Sequence, residues 1–304
     1  MWNRAELPKL PIKTTAGMPS VVGYLTPSEL QRVISVCIPT YQAIFLCMYM
    51  GAMDQELFIH WNETSGFKSI EADLKDDHDI IFVWGTGRKG ELNQMPYYTM
   101  IGGDALHALK RYVNEARKRI IDRKFGGDPE KATAIFYSRH GHPVTKRTMT
   151  QYYHKKLVQL GLIELIKDEH GKGHPGNRYG KNVHEFRDTW RTHATSFRLE
   201  EKIPETMFEF CMGHVTGMDK NKYDKYCKNQ VAMKILYRRA LPYYNLMTSN
   251  KALSLYDEED LEREREIERV KASQRSKTIS ESPGLSALQD QLDNLADMQY
   301  QKTV

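Results

Sequence analysis

The feature that most constrains this chain is a nearly uninterrupted apolar run, Ala43 to Met53, opened a few residues earlier by Pro39. Eleven residues are too few to cross a bilayer, so the run has to be buried in protein. Proline is suited to the first helical position. A helix that is hydrophobic all round belongs at the centre of a domain. The spacing therefore predicts a buried central helix from Pro39 to about Met50, with the rest of the fold built around it.

Other segments carry local start and stop signals. Tyr24-Leu-Thr-Pro-Ser-Glu-Leu places Thr26 as N-cap, Pro27 at N1 and Glu29 at N3, followed by Leu30, Val33, Ile34 and Cys37 at helical spacing. Ile80–Trp84, a glycine-rich Gly85-Thr-Gly-Arg-Lys-Gly and Met95-Pro-Tyr-Tyr-Thr-Met read as a β-hairpin. Leu106, Leu109, Tyr112, Val113, Ala116 and Ile120 restore a helical period from about Asp104 to Arg123. A short strand at Ala134–Tyr137, a turn at Arg139–Pro143 and a helix from about Lys146 to Leu160, closed by Gly161, follow. Residues 167–181 read as a polar loop, and helices are expected over His184–Phe197, Pro204–Met212 and about Asp219–Tyr237. There is no internal repeat.

With 304 residues, 40% hydrophobic and 27% charged, the chain has ample material for a core and is not disordered throughout. The opening Met-Trp-Asn-Arg-Ala-Glu has no apolar h-region, so a cytoplasmic location is expected, with no membrane attachment. Cys37, Cys47, Cys211 and Cys227 form no Cys-x-x-Cys pair and read as reduced, partly buried thiols. The net charge of +5 is uneven: residues 251–304 hold 8 Lys and Arg against 12 Asp and Glu, leaving 36 against 27 in residues 1–250. A basic body suits a polyanionic partner without proving one. Three regions result: an N-terminal arm over 1–22, a compact region over 23–250 and a charged helical tail over 251–304. Dense charge at Asp257–Arg269 and Leu285, Leu288, Leu292 and Leu295 beyond Pro283 read as two tail helices, the second a candidate oligomerising seam.

The chemistry-bearing constellation is His184-Glu-Phe-Arg187, then Met212-Gly-His214, then Tyr223-Asp-Lys-Tyr226. Arg187 offers a planar fork of donors for two phosphate oxygens. His184 and His214 exchange protons near neutral pH. A phenol nine residues beyond His214 can attack a phosphodiester and keep its bond energy as a phosphotyrosine, so strands are rejoined without ATP, metal or other cofactor. His140-Gly-His142 and the His170, His174 pair lack partner cysteines at ligand spacing, so no metal is expected.

In this order and spacing the residues resemble the catalytic domain of the tyrosine recombinases, the phage-integrase family, and most of all its archaeal-type integrases. The likeness runs from about Val22 to Met247 and includes Gly87-Arg-Lys ahead of Pro96-Tyr-Tyr-Thr, Val183-His-Glu-Phe-Arg-Asp-Thr-Trp-Arg-Thr, and Phe210-Cys-Met-Gly-His. It implies a mainly α-helical fold with a small antiparallel β-sheet, and site-specific recombination of double-stranded DNA by a homo-oligomer, a dimer or tetramer on the DNA. It also implies that Arg187 is the second catalytic arginine, His184 and His214 the two histidines, and Tyr223 the nucleophile, with Tyr226 the competing phenol. Lys89 in the hairpin turn becomes the general acid, with Arg88 a phosphate-binding alternative. Lys146, Arg147, Lys155 and Lys156 are expected to make a DNA-contacting face on one helix.

One position departs from the family pattern. Where the family reads Gly-x-Arg-x-x-Glu-Leu, this chain reads Gly51-Ala-Met53-Asp-Gln-Glu56-Leu57, so a thioether stands at the first catalytic arginine. Losing such a donor costs on the order of 3 kcal/mol of transition-state stabilisation. Arg88, Lys89, Arg178 and Lys181 are the candidates to replace it, and Glu56 reads as structural. The alternative function is a catalytically impaired, integrase-like DNA-binding protein with a regulatory or architectural role.

Overall fold

A computed structural model describes residues 25–85, 97–163, 165–167, 173–175, 181–214 and 229–249. All of them belong to one compact unit, Met1–Ala252; the second unit, Leu253–Val304, lies outside the described residues. The architecture is mostly helical with a small two-stranded antiparallel sheet.

Helix α1 (Pro27–Ser35) starts with the capping box read from the sequence: Thr26 Oγ1 accepts from the Glu29 N–H at 3.2 Å, and Glu29 Oε2 accepts from the Thr26 N–H at 3.0 Å. Helix α2 (Pro39–Met50) is buried continuously from Ala43 to Met50. Each large apolar side chain so buried is worth about 1.5–3 kcal/mol. It is the axle of the domain, in contact with α1, with the second strand and with two later helices. Phe45 meets Tyr153 and Phe186 edge-on, and Tyr49 meets Tyr244 in the same way. Burial also pushes the Cys37 thiol up to about 12 and keeps it inert.

The end of α2 sets up everything that follows. Gly51 has no room for a side chain, since a Cβ there would stand 2.7 Å from the Met53 methyl and 2.8 Å from the Cys47 carbonyl oxygen. Ala52 turns through the left-handed region at φ +49° and Met53 donates its N–H to the Met48 carbonyl at 2.8 Å. Asp54 then caps α3 (Gln55–Ile59), accepting from the Leu57 N–H at 2.8 Å. A π-helical turn over His60–Ser65 and α4 (Lys68–Lys75) complete the stretch before the hairpin.

Strands β1 (Ile80–Gly85) and β2 (Tyr97–Gly102) pair antiparallel, with Ile80 opposite Gly102 and Gly85 opposite Tyr97. Next comes one long helical stretch, α5 (Gly103–Arg111), a π-helical segment Tyr112–Arg117 and α6 (Lys118–Lys124), over the span the sequence predicted. Buried Asp104 fastens the far end of the unit to its start, accepting from the Met247 N–H at 2.6 Å and from Thr248 Oγ1 at 2.7 Å.

The expected strand at Ala134–Tyr137 is not formed. Only an isolated bridge joins Tyr137 to Pro143. Buried Asn62 takes the place of a partner strand: its Oδ1 accepts from the Phe136 N–H at 2.6 Å and its backbone carbonyl from the Ile135 N–H at 3.1 Å. The phenol of Tyr112 takes the Tyr137 N–H at 2.9 Å. Helix α7 (Lys146–Gln159) follows, and Gly161 ends its exit turn at φ +68°. A short antiparallel pair, β3 (Leu165–Lys167) and β4 (Gly173–Pro175), forms at the start of and within the segment read as a polar loop. Helices α8 (Glu185–Phe197), α9 (Glu205–Cys211) and α10 (Gln230–Tyr244) finish the unit. Helix α10 runs through Pro242 and seven residues past its expected end. Among the described residues no helix is long and apolar enough to cross a membrane.

Candidate functional site

Helix α8 carries the central arginine on its buried side. Phe186, Trp190, Ala194 and Phe197 pack inward, and Arg187 goes in with them at 1% exposure. An unpaired guanidinium would not survive there. Arg187 is held by two groups: Nη2 donates to the Met212 carbonyl, and Nη1 lies 3.5 Å from Asp54 Oδ2. The turn that ends α2 thus presents its capping carboxylate to α8, and the start of the Met212-Gly-His turn closes the other side.

His214 sits at the exit of α9. Its N–H donates to the Glu209 carbonyl at 2.9 Å, and its Nδ1 lies 2.6 Å from Glu209 Oε2. The other oxygen of Glu209 accepts from Arg191 Nε at 2.9 Å, and Arg191 is further paired with Glu205. Desolvation, the largest influence on Glu209, pushes its carboxyl up; His214 and Arg191 together outweigh it and hold the group below the usual range. The result is a relay, Arg191 to Glu209 to His214, that fixes one imidazole nitrogen.

Gly213 makes that turn possible. Its φ is +63°, and a Cβ would fall 2.6 Å from the Tyr97 ring. A Cβ on Gly85 would likewise stand 2.9 Å from the same ring and 2.9 Å from Leu57. The loop end of the β1–β2 hairpin is thereby set against α3 and against the turn that carries His214.

His184 is the N-cap residue of α8, with its N–H donating to Asn182 Oδ1 at 2.7 Å. It is exposed, and among the described residues its ring makes no hydrogen bond. The structure therefore brings Arg187 to Asp54 and Met212, and His214 to Glu209 and Arg191, while His184 stands at the solvent edge one helical turn from Arg187. Tyr223, Tyr226, Lys89, Arg88 and Arg178 lie outside the described residues. Lys181 is committed elsewhere, to Glu29 at 3.1 Å.

Met53 is wholly buried, its methyl folded back over Gly51. The thioether fills the core, and the charge opposite Arg187 at this corner is that of Asp54. Sequence reading missed Asp54 and Glu209. The signals were present as an N-cap acid directly after Met53 and a carboxylate five residues before His214, but neither declares its tertiary partner.

The expectation that Lys146, Arg147, Lys155 and Lys156 share one face is corrected. Successive helical residues turn by about 100°, so Lys146 and Lys155 point to opposite sides of α7. Lys146 is paired with Glu56. Lys156 lies 5.6 Å above the Tyr152 ring, while Arg147 and Lys155 are exposed.

No family model matches the sequence, and no curated protein matches it. Among solved structures, the XerH site-specific recombinase bound to palindromic difH substrate in a post-cleavage complex is similar at a TM-score of 0.42 and 11% identity, covering 70% of this chain and 52% of that one. The Tn1549 transposon integrase in complex with a circular-intermediate DNA is similar at a TM-score of 0.40 and 16% identity, covering 73% of this chain and 68% of that one. The chain thus spans about half the length of the first. These are distant likenesses, and the reading of the site rests on its own residues.

Proposed function

We propose that the protein is a site-specific DNA recombinase or integrase that cuts and rejoins double-stranded DNA through a 3′-phosphotyrosine, acting as a homo-oligomer at DNA in the cytoplasm, on an archaeal or viral mobile element. The catalytic region in this reading is 23–250, with an arm before it and an assembly tail after it. The observation that carries the reading is the convergence of a buried Arg187 on the Met212-Gly-His214 turn, across 25 residues of chain. Arg187 grips a non-bridging phosphate oxygen. The Tyr223 oxygen attacks phosphorus, the bond to the 5′ oxygen breaks, and the leaving hydroxyl takes its proton from Lys89. His214, held by Glu209, and His184 stabilise the charge on the phosphorane.

The test is a suicide DNA substrate, nicked so that the cleaved strand end diffuses away. A covalent adduct that survives a denaturing gel, vanishes in Tyr223→Phe and persists in Tyr226→Phe is the expected result. No adduct from a protein that still binds the duplex overturns the enzymatic reading.

A second reading, a DNA-binding protein without strand cleavage, is favoured by one specific observation. Met53 is buried where the family pattern has an arginine, and Asp54 neutralises Arg187 in the absence of DNA. Met53→Arg is not the rescue that separates the two, because it would force a guanidinium into the packed core beside Gly51.

A further inference from the structure

At the opposite end of α2 from Asp54 lies a cleft of about 540 Å³, walled by α6, the turn after Tyr137 and the first half of α7. Its floor is apolar and aromatic: Ile38, Ala116 and Ile120 beside Tyr41 and Tyr152, whose rings stack 3.7 Å apart at 6°. Ile38 is 52% exposed, an apolar side chain open to solvent. Its rim is cationic, formed by Arg119, Arg123, Lys124 and Arg139, and none of the lining residues is acidic.

The rim cations differ from nine others on this unit. Lys68, Lys75, Lys110, Lys131, Lys146 and Lys181 each face a carboxylate, as do Arg191, Arg198 and Arg238. Among the described residues Arg119, Arg123 and Lys124 have no such partner, and Arg139 donates only to His140 Nε2 at 3.0 Å. The wall is also built closely. Gly141, at φ +84°, lets the turn press on the Lys124 stem, where a Cβ would stand 2.9 Å from the Lys124 Cβ and Cγ. Like charges held together without counterions, over an apolar floor, make a site for an anion that also brings a flat apolar group.

We infer that this cleft binds an unpaired nucleotide of a DNA strand, its base on the Ile38–Tyr41–Tyr152 floor and its flanking phosphates on Arg119, Arg123 and Lys124. A single strand has this combination of charge and exposed aromatic faces; a duplex hides its bases. That the anion is nucleic acid rests on the DNA reading above, but the binding needs none of the covalent chemistry. The cleft and Asp54 lie beyond opposite ends of α2, whose 12 residues span about 18 Å.

The probe is a fluorescein-labelled 12-nucleotide oligothymidylate, with a blunt 20-base-pair duplex as comparison, titrated by anisotropy across salt concentrations. The wild-type protein is expected to bind the oligothymidylate, and Ile38→Glu, at an exposed site, to weaken it at least tenfold with duplex affinity unchanged. A variant with Arg119, Arg123 and Lys124 all changed to Gln is expected to lower the logarithmic salt slope by about 2 for three lost phosphate contacts. Unchanged oligothymidylate binding in both variants overturns the inference, and so does equal loss of strand and duplex, which would make the cleft part of a duplex grip. A glutamate 12-mer that binds as tightly as the oligothymidylate also overturns it, in favour of an acidic protein partner. A failed covalent-adduct assay leaves this result untouched.

Discussion

His193 gives the fold a measurable acid weakness. It lies in α8 six residues beyond Arg187, 1% exposed, with its Nδ1 3.0 Å from the Tyr49 hydroxyl and its ring edge-on to Phe197 and Tyr244. Burial pushes the imidazole from 6.5 down to about 4. In the unfolded chain the same group takes up a proton as pH falls through 6.5, whereas in the folded protein it stays neutral until about 4. The unfolded state therefore binds more protons across that window. Stability is full above pH 6.5 and is lost progressively down to about 4. At about 1.4 kcal/mol per unit, the loss from this one residue is about 3 kcal/mol. The assay is urea unfolding followed by tryptophan fluorescence at pH 7, 6, 5 and 4, for wild type and His193→Phe, which keeps a ring among the same neighbours. Wild type should lose about 3 kcal/mol more than the variant over that range. Parallel losses in the two proteins would refute the assignment of a buried neutral imidazole.

Asp54→Asn keeps the α3 cap, since asparagine caps as well as aspartate, but leaves the buried Arg187 without its counter-charge. It should destabilise the protein by about 3 kcal/mol, and vanadate or sulfate should raise its melting temperature more than that of wild type; equal responses would mean that Arg187 does not take up an oxyanion. Gly213→Ala forces a left-handed backbone and a collision with Tyr97. A loss of more than about 2 kcal/mol in thermal or urea unfolding is expected, and an unchanged melting temperature would show that the turn is not as tight as described.

Sequence and structure agree where the determinant is local. The starts of α1, α2 and α7 are written in neighbouring residues: Thr26 with Glu29, Pro39 after Ile38, and Thr145 with Thr148. They disagree where a distant side chain decides. Ala134–Tyr137 has strand composition, but Asn62 and Tyr112 satisfy its backbone and leave no ladder to form. The candidate site follows the same division. Arg187 and His214 could be picked out by spacing, whereas Asp54 and Glu209 acquire their roles only when α2, α8 and α9 meet. The four cations of α7 show the converse, since nearness in sequence was mistaken for a shared face.

The Tyr97 ring, clasped between Gly85 and Gly213, also limits how this chain can diverge. Positions 85 and 97 are free to exchange bulk with each other, because a side chain can be added at 85 when the ring at 97 shrinks and Leu57 gives way. Position 213 does not join that exchange, since its left-handed backbone disfavours any side chain whatever stands at 97. Among relatives of this protein, 85 and 97 should vary as a correlated pair while 213 stays fixed, so that the loop end of the hairpin drifts in sequence and the turn before His214 does not.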